Sequence, residues 1–350
     1  MARGPWVSAS HPNRMRLLDR VHRLVTRPFA EVGRGSSEEE LHRISTRLDG
    51  VTRYAAIDLK SMRTVGFEAD VPTPMASTVK IAVAIEVLAR ADAGEIGLDD
   101  MIAIEPRHLR PGHGLIASRI GAPGVSLSIR RLIRLMLAES DNTATDVLFD
   151  LVEGPSAVQD RLRSLGIDGM RVDRTILEMM SDRRGIHVAA PGGEYSLEQW
   201  KSNAARLSKS ELAAAGRAFV GDHRDTTTPL AMARLLVAIA TGVVASPGHL
   251  TILRDCLGAC STGARRIRSG VPAGARVENK TGSLVGVVSA DAGIVTLPTG
   301  DQIALAVFVM GSTASAEEQD RVISDLARTI LRWQEGLAGV DPATSRAVTP

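Results

Sequence analysis

The chain has 350 residues, 42 Lys+Arg against 40 Asp+Glu, 44% hydrophobic residues and 3% aromatics, a length that holds one large or two modest domains with a sizeable core. A net charge of +2 over 37.2 kDa, with three Trp, two Tyr and five Phe as the whole stock of stacking rings, argues against nucleic acid as a partner. No apolar run reaches the roughly 18 residues of a bilayer-spanning helix, so a soluble protein is expected.

Residues 1–35 hold seven arginines against Asp19 and Glu31, and Leu17, Leu18, Val21, Leu24 and Val25 recur between them at helical spacing. The arginines interrupt every candidate for the apolar h-region of about 7–15 residues that a secretory signal needs. The segment reads as a basic amphipathic extension; docking on the domain, contact with a membrane surface and an upstream start-site artefact all stay open. From Ser36 and Ser37, followed by Glu39 and Glu40, a capping signature opens a helix with Leu41, Ile44 and Leu48 as its stripe. After Gly50, VTRYAAIDL and RTVGFEA read as a hairpin around Lys60, Ser61 and Met62.

Residues 76 to about 228 are helical in pattern, beginning with STVKIAVAIEVLARA, apolar on most faces and therefore central. Within them HVAAPGGEY reads as loop, and SLEQWKSNAARLSKSELAAAGRAF as one or two surface helices. TTTPLAMARLLVAIATG carries threonines and a proline suited to a helix start. Cys256 and Cys260 sit on one predicted helix face, where they read as small buried hydrophobes rather than a disulfide or a metal pair. VENK, VGVVSADAGIVTL and QIALAVFVM are three further β-prone runs, and Ser315 with Glu318 caps a last helix, leaving residues 336–350 as a tail. The expected fold is α/β (α+β): a five-stranded antiparallel sheet flanked by helices, built from residues 36–75 and 229–335, with an all-α domain of residues 76–228 inserted into it.

Three short motifs carry chemistry. Ser77-Thr78-Val79-Lys80 stands at the start of the central helix, where one turn brings the lysine to the face of the serine. A serine hydroxyl is a poor nucleophile until a nearby base takes its proton, and a lysine serves if burial and neighbouring cations lower its pKa. Ser140-Asp141-Asn142 lies in an interhelical loop that can present a hydroxyl and an amide to a cleft, although a plain helix cap is the competing reading. Lys280-Thr281-Gly282-Ser283 ends a predicted strand, where glycine would let a substrate backbone lie close to the edge. Each is weak alone; in this order, on these element types, they form the known SxxK, SDN and KTG set.

From about residue 36 to 335 the chain resembles a class A serine β-lactamase, within the wider superfamily of penicillin-recognising enzymes; PMASTVK, SDNTATD, RDTTTPLAMARLL and ENKTGSL…DAGIV carry the likeness. The resemblance implies Ser77 as nucleophile, Lys80 as base or relay and Ser140 as proton donor to the leaving nitrogen. Lys280, Thr281 and Ser283 would bind the substrate carboxylate, and Asn142 the acylamide side chain. The Ser77 and Ser283 amides would form the oxyanion hole. It also implies a monomer without metal or organic cofactor, acting on a small β-lactam or D-Ala-D-Ala-like amide or ester. The eight histidines show no HxH or HExxH spacing.

One segment departs from the family's RxxRWExxLN pattern. In Arg171-Val172-Asp173-Arg174-Thr175-Ile176-Leu177-Glu178-Met179-Met180-Ser181-Asp182, Ile176 takes the place of the deacylating glutamate and Met180 that of the asparagine. Glu178, two residues on, with Asp182 beyond it, could restore the pair through a slipped loop. The leading expectation is a β-lactamase-like hydrolase with Glu178 or Asp182 assisting deacylation. A DD-peptidase-like or esterase-like relative that deacylates poorly is the alternative, and a non-catalytic sensor is the third. The resemblance implies a periplasmic or secreted protein, yet no export signal is visible and a cytoplasmic location stays open.

Overall fold

The computed structural model describes residues 36–119, 125–186 and 196–338; the basic extension, the whole HVAAPGGEY stretch and the last part of the tail lie outside them. The elements run α1 (Ser36–Ser45), β1 (Val51–Asp58), β2 (Thr64–Phe67), β3 (Thr73–Pro74), a 3-10 turn (Ala76–Val79), α2 (Lys80–Asp92), β4 (Met101–Ile104), α3 (Leu115–Arg119), β5 (Val125–Ser128), α4 (Ile129–Ala138), α5 (Asn142–Leu151) and α6 (Pro155–Ser164). They continue as α7 (Ile176–Asp182), α8 (Leu197–Arg206), α9 (Lys209–Val220), β6 (Thr226–Thr227), α10 (Pro229–Ala240), α11 (Pro247–Gly258), α12 (Ile267–Gly270), β7 (Arg276–Leu284), β8 (Val288–Thr296), β9 (Gln302–Met310) and α13 (Ala316–Ala338).

Period-two alternation sets the sheet. Its order is β2-β1-β9-β8-β7, antiparallel throughout, with Ala306 of β9 level with Ala55 on one side and Ala292 on the other. Tyr54, Ala56, Ile303, Leu305 and Val307 pack with α1 and α13 in one core cluster. Their alternates Ala55, Ala290, Ala292, Ala304 and Ala306 pack with α2, α4, α5 and α10 in another. The row of alanines keeps that face flat enough for α10 to lie against it. Thr228 caps α10 by accepting from the Ala231 N–H at 3.0 Å, and Pro229 follows as its first residue.

The two chain crossings between sheet and helical region are tied to one another. β3 pairs with β6, Thr73 opposite Thr227 and Pro74 opposite Thr226, next to the boundaries expected at 75/76 and 228/229. The helical region is not purely α: β4 and β5 form a second small ribbon. SLEQW…AAAGRAF forms two helices, α8 and α9, each opened by a serine cap. The last helix runs on to Ala338, past the expected start of the tail at 336. Cys256 lies in α11, whereas Cys260 falls beyond the helix end at Gly258; both are buried and free.

Because Ala306 is fully buried in the alanine row, Ala306→Leu should overpack the α10 contact and cost about 1–3 kcal/mol. The check is a urea midpoint lowered at unchanged slope; an unchanged midpoint would mean that the row does not set the packing distance.

Candidate active site

Ser77 is delivered by a strained turn. Ala76 before it has φ 45°, a left-handed conformation that is costly for a residue with a Cβ. The turn is held by Thr78, whose Oγ1 donates to the Met75 carbonyl at 2.7 Å, and by the Met75 N–H, which donates to the Asp225 carbonyl at 3.1 Å. The 3-10 turn passes directly into α2, so Ser77 and Lys80 share a face. Strand β7 closes on the same turn. A Cβ on Gly282 would stand 2.8 Å from the Met75 carbonyl oxygen and 3.3 Å from the Ser77 nitrogen. Glycine is therefore needed for the protein's own backbone to approach the serine, a closer constraint than the substrate approach expected from the sequence. β7 does not end at the motif; it runs through Ser283 to Leu284.

Two lysines lie fully buried here. Lys80 Nζ donates to the Ser140 carbonyl at 2.7 Å, to Asn142 Oδ1 at 2.8 Å and to Ser140 Oγ at 3.3 Å. Lys280 Nζ donates to the same Ser140 Oγ at 2.9 Å and to the Thr281 carbonyl at 2.8 Å. Burial, reinforced by the Lys280 charge, holds Lys80 well below the usual lysine pKa. Burial lowers Lys280 to about 8. The helix-cap reading of the SDN triplet is right for its middle residue: Asp141 accepts from the Ala144 N–H at 2.9 Å and the Ile116 N–H at 2.8 Å. That cap leaves Ser140, at φ 57°, and Asn142 turned to the lysines, with Asn142 Nδ2 donating to the Pro111 carbonyl at 2.9 Å.

Two residues that the sequence reading did not single out complete the wall along β7. Arg266 donates through Nη2 to Ser283 Oγ at 2.9 Å and through Nη1 to the Ala290 carbonyl at 2.7 Å, while Asp320 holds its Nε at 2.7 Å. Thr262 Oγ1 lies 2.5 Å from Thr281 Oγ1. The signal for Arg266 is the basic run Arg265-Arg266-Ile267-Arg268 shortly before β7.

The 171–182 segment is anchored at both ends. Asp146 on α5 is fully buried and accepts from the Ile176 and Leu177 N–H groups at 2.7 and 3.0 Å and from Arg110 Nε at 2.6 Å. Arg174 donates to Asp225 at 2.6 Å, to Asp182 at 2.8 Å and to Asp222 at 3.0 Å. This geometry does not support Glu178 or Asp182 as deacylating base. Glu178 is exposed and closes a capping box on its own helix, accepting from Thr175 N at 2.7 Å and Thr175 Oγ1 at 2.9 Å. It neighbours Asp150, whose carboxyl is raised by burial and, to a lesser extent, by the Glu178 charge, and Asp150 lies about 12 Å along α5 from Asn142. Asp182 is committed to Arg174 and to Arg224, the latter at 3.0 Å. Ile176 is buried in the helical core. Met180 reaches the Gly112 turn that also carries Asn142 Nδ2: a Cβ on Gly112 would meet the two at 3.5 and 2.8 Å.

Comparison with known proteins identifies the family. The family described as "Beta-lactamase enzyme family" matches residues 36–334. The chain is 30% identical to the β-lactamase AST-1 of Nocardia asteroides over 79% of this chain and 76% of that one. Among solved structures, a β-lactamase from Chitinophaga pinensis superposes with a TM-score of 0.71 at 27% identity, over 86% of this chain and 100% of that one. A variant of the reconstructed last common ancestor of Gram-negative class A β-lactamases gives 0.70 at 31% identity, over 87% and 100%. A DD-peptidase or esterase reading is not favoured by these relatives, nor is a non-catalytic one. The chain belongs to the class A serine β-lactamase family and is a hydrolase of that kind.

Proposed function

We propose that Ser77 opens the β-lactam ring with Lys80 as its base and Ser140 as the relay to the leaving nitrogen. The observation that carries this is the Ser140 hydroxyl held between two buried lysine amines, 2.9 Å from Lys280 and 3.3 Å from Lys80. A neutral amine has two N–H donors, and the two shorter bonds of Lys80, at 2.7 and 2.8 Å, use both. In that form the third contact, 3.3 Å to Ser140 Oγ, has the hydroxyl donating to the amine lone pair, and the lone pair takes the Ser77 proton as Ser140 turns its hydrogen to the ring nitrogen. As Ser77 Oγ bonds to the carbonyl carbon and the C–N bond breaks, the proton passes from Lys80 through Ser140 to the ring nitrogen. Ser140 accepts from Lys280, so its own hydrogen is free for that transfer.

The Ser77 and Ser283 N–H groups receive the oxyanion, each such donor being worth about 3 kcal/mol. Lys280, Thr281 and Ser283 bind the substrate carboxylate, Arg266 acting through Ser283, while Gly282 keeps the strand close and Asn142 takes the acylamide. The relay returns Lys80 to its neutral form, which then serves as base for the water that releases the acyl group. A well-placed general base is typically worth about 10²–10⁴ in rate; with Ile176 and Met180 in the family's carboxylate and asparagine positions, deacylation limits turnover. The same reading includes a monomer that works in the periplasm or outside the cell.

A chromogenic cephalosporin tests the core of this. Wild type should release one rapid equivalent of product and then turn over more slowly, and Ser77→Ala should lose both phases. Absence of any turnover by wild type at high enzyme concentration would overturn the reading. Glu178→Ala should leave kcat unchanged while lowering stability by about 1 kcal/mol through loss of the cap; a collapse of kcat would return Glu178 to the site. Since Lys280 titrates at about 8, its charge is present below that pH and lost above it. The pH profile of kcat/KM should therefore fall on the alkaline side through this value, and a flat alkaline limb would contradict a charged Lys280 in substrate binding.

A further inference from the structure

Beyond Ser283 the substrate-binding strand runs into a cleft of about 660 Å³ that the proposed mechanism does not use. One wall is the end of α7 with Arg183 and Arg184, the second is α9 with Leu212, Arg217 and Val220, and the floor is the β7–β8 turn, Val285 to Val287. Three arginines face this space, and among the described residues no carboxylate lines it. The nearest acidic residues on the same helices are spoken for: Asp182 pairs with Arg174 and Arg224, and Glu211 caps α9 through Ser208. Among the described residues neither Arg183, Arg184 nor Arg217 has a carboxylate within ion-pair distance. Arg183 donates to the Val285 carbonyl and Arg184 stacks over Trp200 at 5.2 Å, yet the Nε atoms of both are buried without a hydrogen-bond partner. Burial and the adjacent Arg184 charge both work against a charged Arg183. Unsatisfied buried donors of one sign, gathered at a cleft, call for an anion.

We propose that this cleft binds a carboxylate carried on the acyl side chain of the substrate, so that the enzyme prefers β-lactams with an anionic side chain. The inference rests on the Ser77 reading, which lays the substrate along β7. Val285 lies two residues past Ser283, about 7 Å along the strand, which suits a carboxylate at the end of a short chain rather than one beside the amide. Exposed Val285 and Val220 offer apolar surface to the methylenes of that chain.

The test compares a cephalosporin bearing a glutaryl side chain with the same nucleus bearing a glutaramoyl chain, in which a neutral carboxamide replaces the terminal carboxylate. Wild type should favour the glutaryl compound by about tenfold in kcat/KM, as one charge-assisted contact allows, and the preference should shrink with added salt. Arg217→Gln, at an exposed position that the fold tolerates, and Arg183→Gln should each draw the ratio towards one. The same ratio is measured as affinity for Ser77→Ala by calorimetry, which needs no turnover. If wild type opens neither compound, the hydrolase reading fails and the affinity ratio still judges the cleft. A ratio near one in wild type, or a ratio that neither arginine substitution lowers, overturns the proposal.

Discussion

Everything in this site depends on keeping two lysine amines out of water around one serine hydroxyl. An ammonium group taken from water into a protein interior costs several kcal/mol unless partners repay it. The fold meets that cost unequally. Lys280, with two acceptors, is lowered to about 8 by burial, and Lys80, with three, is held well below the usual lysine range by its burial and by the Lys280 charge. Two like cations that share a neighbour are pushed apart in pKa, and that separation divides the work into a base and an electrostatic anchor. The strain at Ala76 and Ser140 belongs to the same arrangement, since both left-handed residues aim their neighbours at the pocket.

Rigid supports stand behind each group. The alanine row of the sheet seats α10, the β3–β6 pair fixes the entry and exit of the helical region, and Gly282 lets β7 press on the serine turn. Asp146 is the corresponding support for the 171–182 segment: one buried carboxylate accepts two backbone N–H groups at the start of α7 and is balanced by Arg110. A carboxylate at a helix start complements the helix dipole as well. The segment is thus tied firmly, with apolar Ile176 and Met180 where the family pattern has its carboxylate and amide.

Most of the sheet was legible because each strand is either a clean alternation or a short apolar run between turn residues, as QIALAVFVM shows by spanning Gln302–Met310. The reacting groups were legible because their spacing along one helix and one strand is local geometry. The position of Glu178 follows from an equally local signal. Thr175-Ile176-Leu177-Glu178 is itself a capping box, which turns the Glu178 carboxylate towards its own helix start. The Arg183, Arg184 and Arg217 group lay beyond sequence reasoning, and Arg266 was marked only by its basic run, since their roles come from contacts between elements far apart in the chain. Helical spacing placed Cys260 on a helix, but the helix stops at Gly258, whose carbonyl accepts from Arg268 Nη2 at 2.9 Å instead of continuing the helical ladder.

The central claim is that Lys80 is a neutral amine in the resting enzyme, and its titration is the measurement that tests it most directly. With lysines labelled at Cε and Nζ, and Lys80 assigned by comparison with Lys80→Arg, nuclear magnetic resonance should find its amine signal already in the neutral form at pH 7 while the exposed lysines remain charged. A Lys80 signal that stays in the ammonium form until the ordinary lysine range would contradict the account, because no lone pair would then be available for the Ser77 proton.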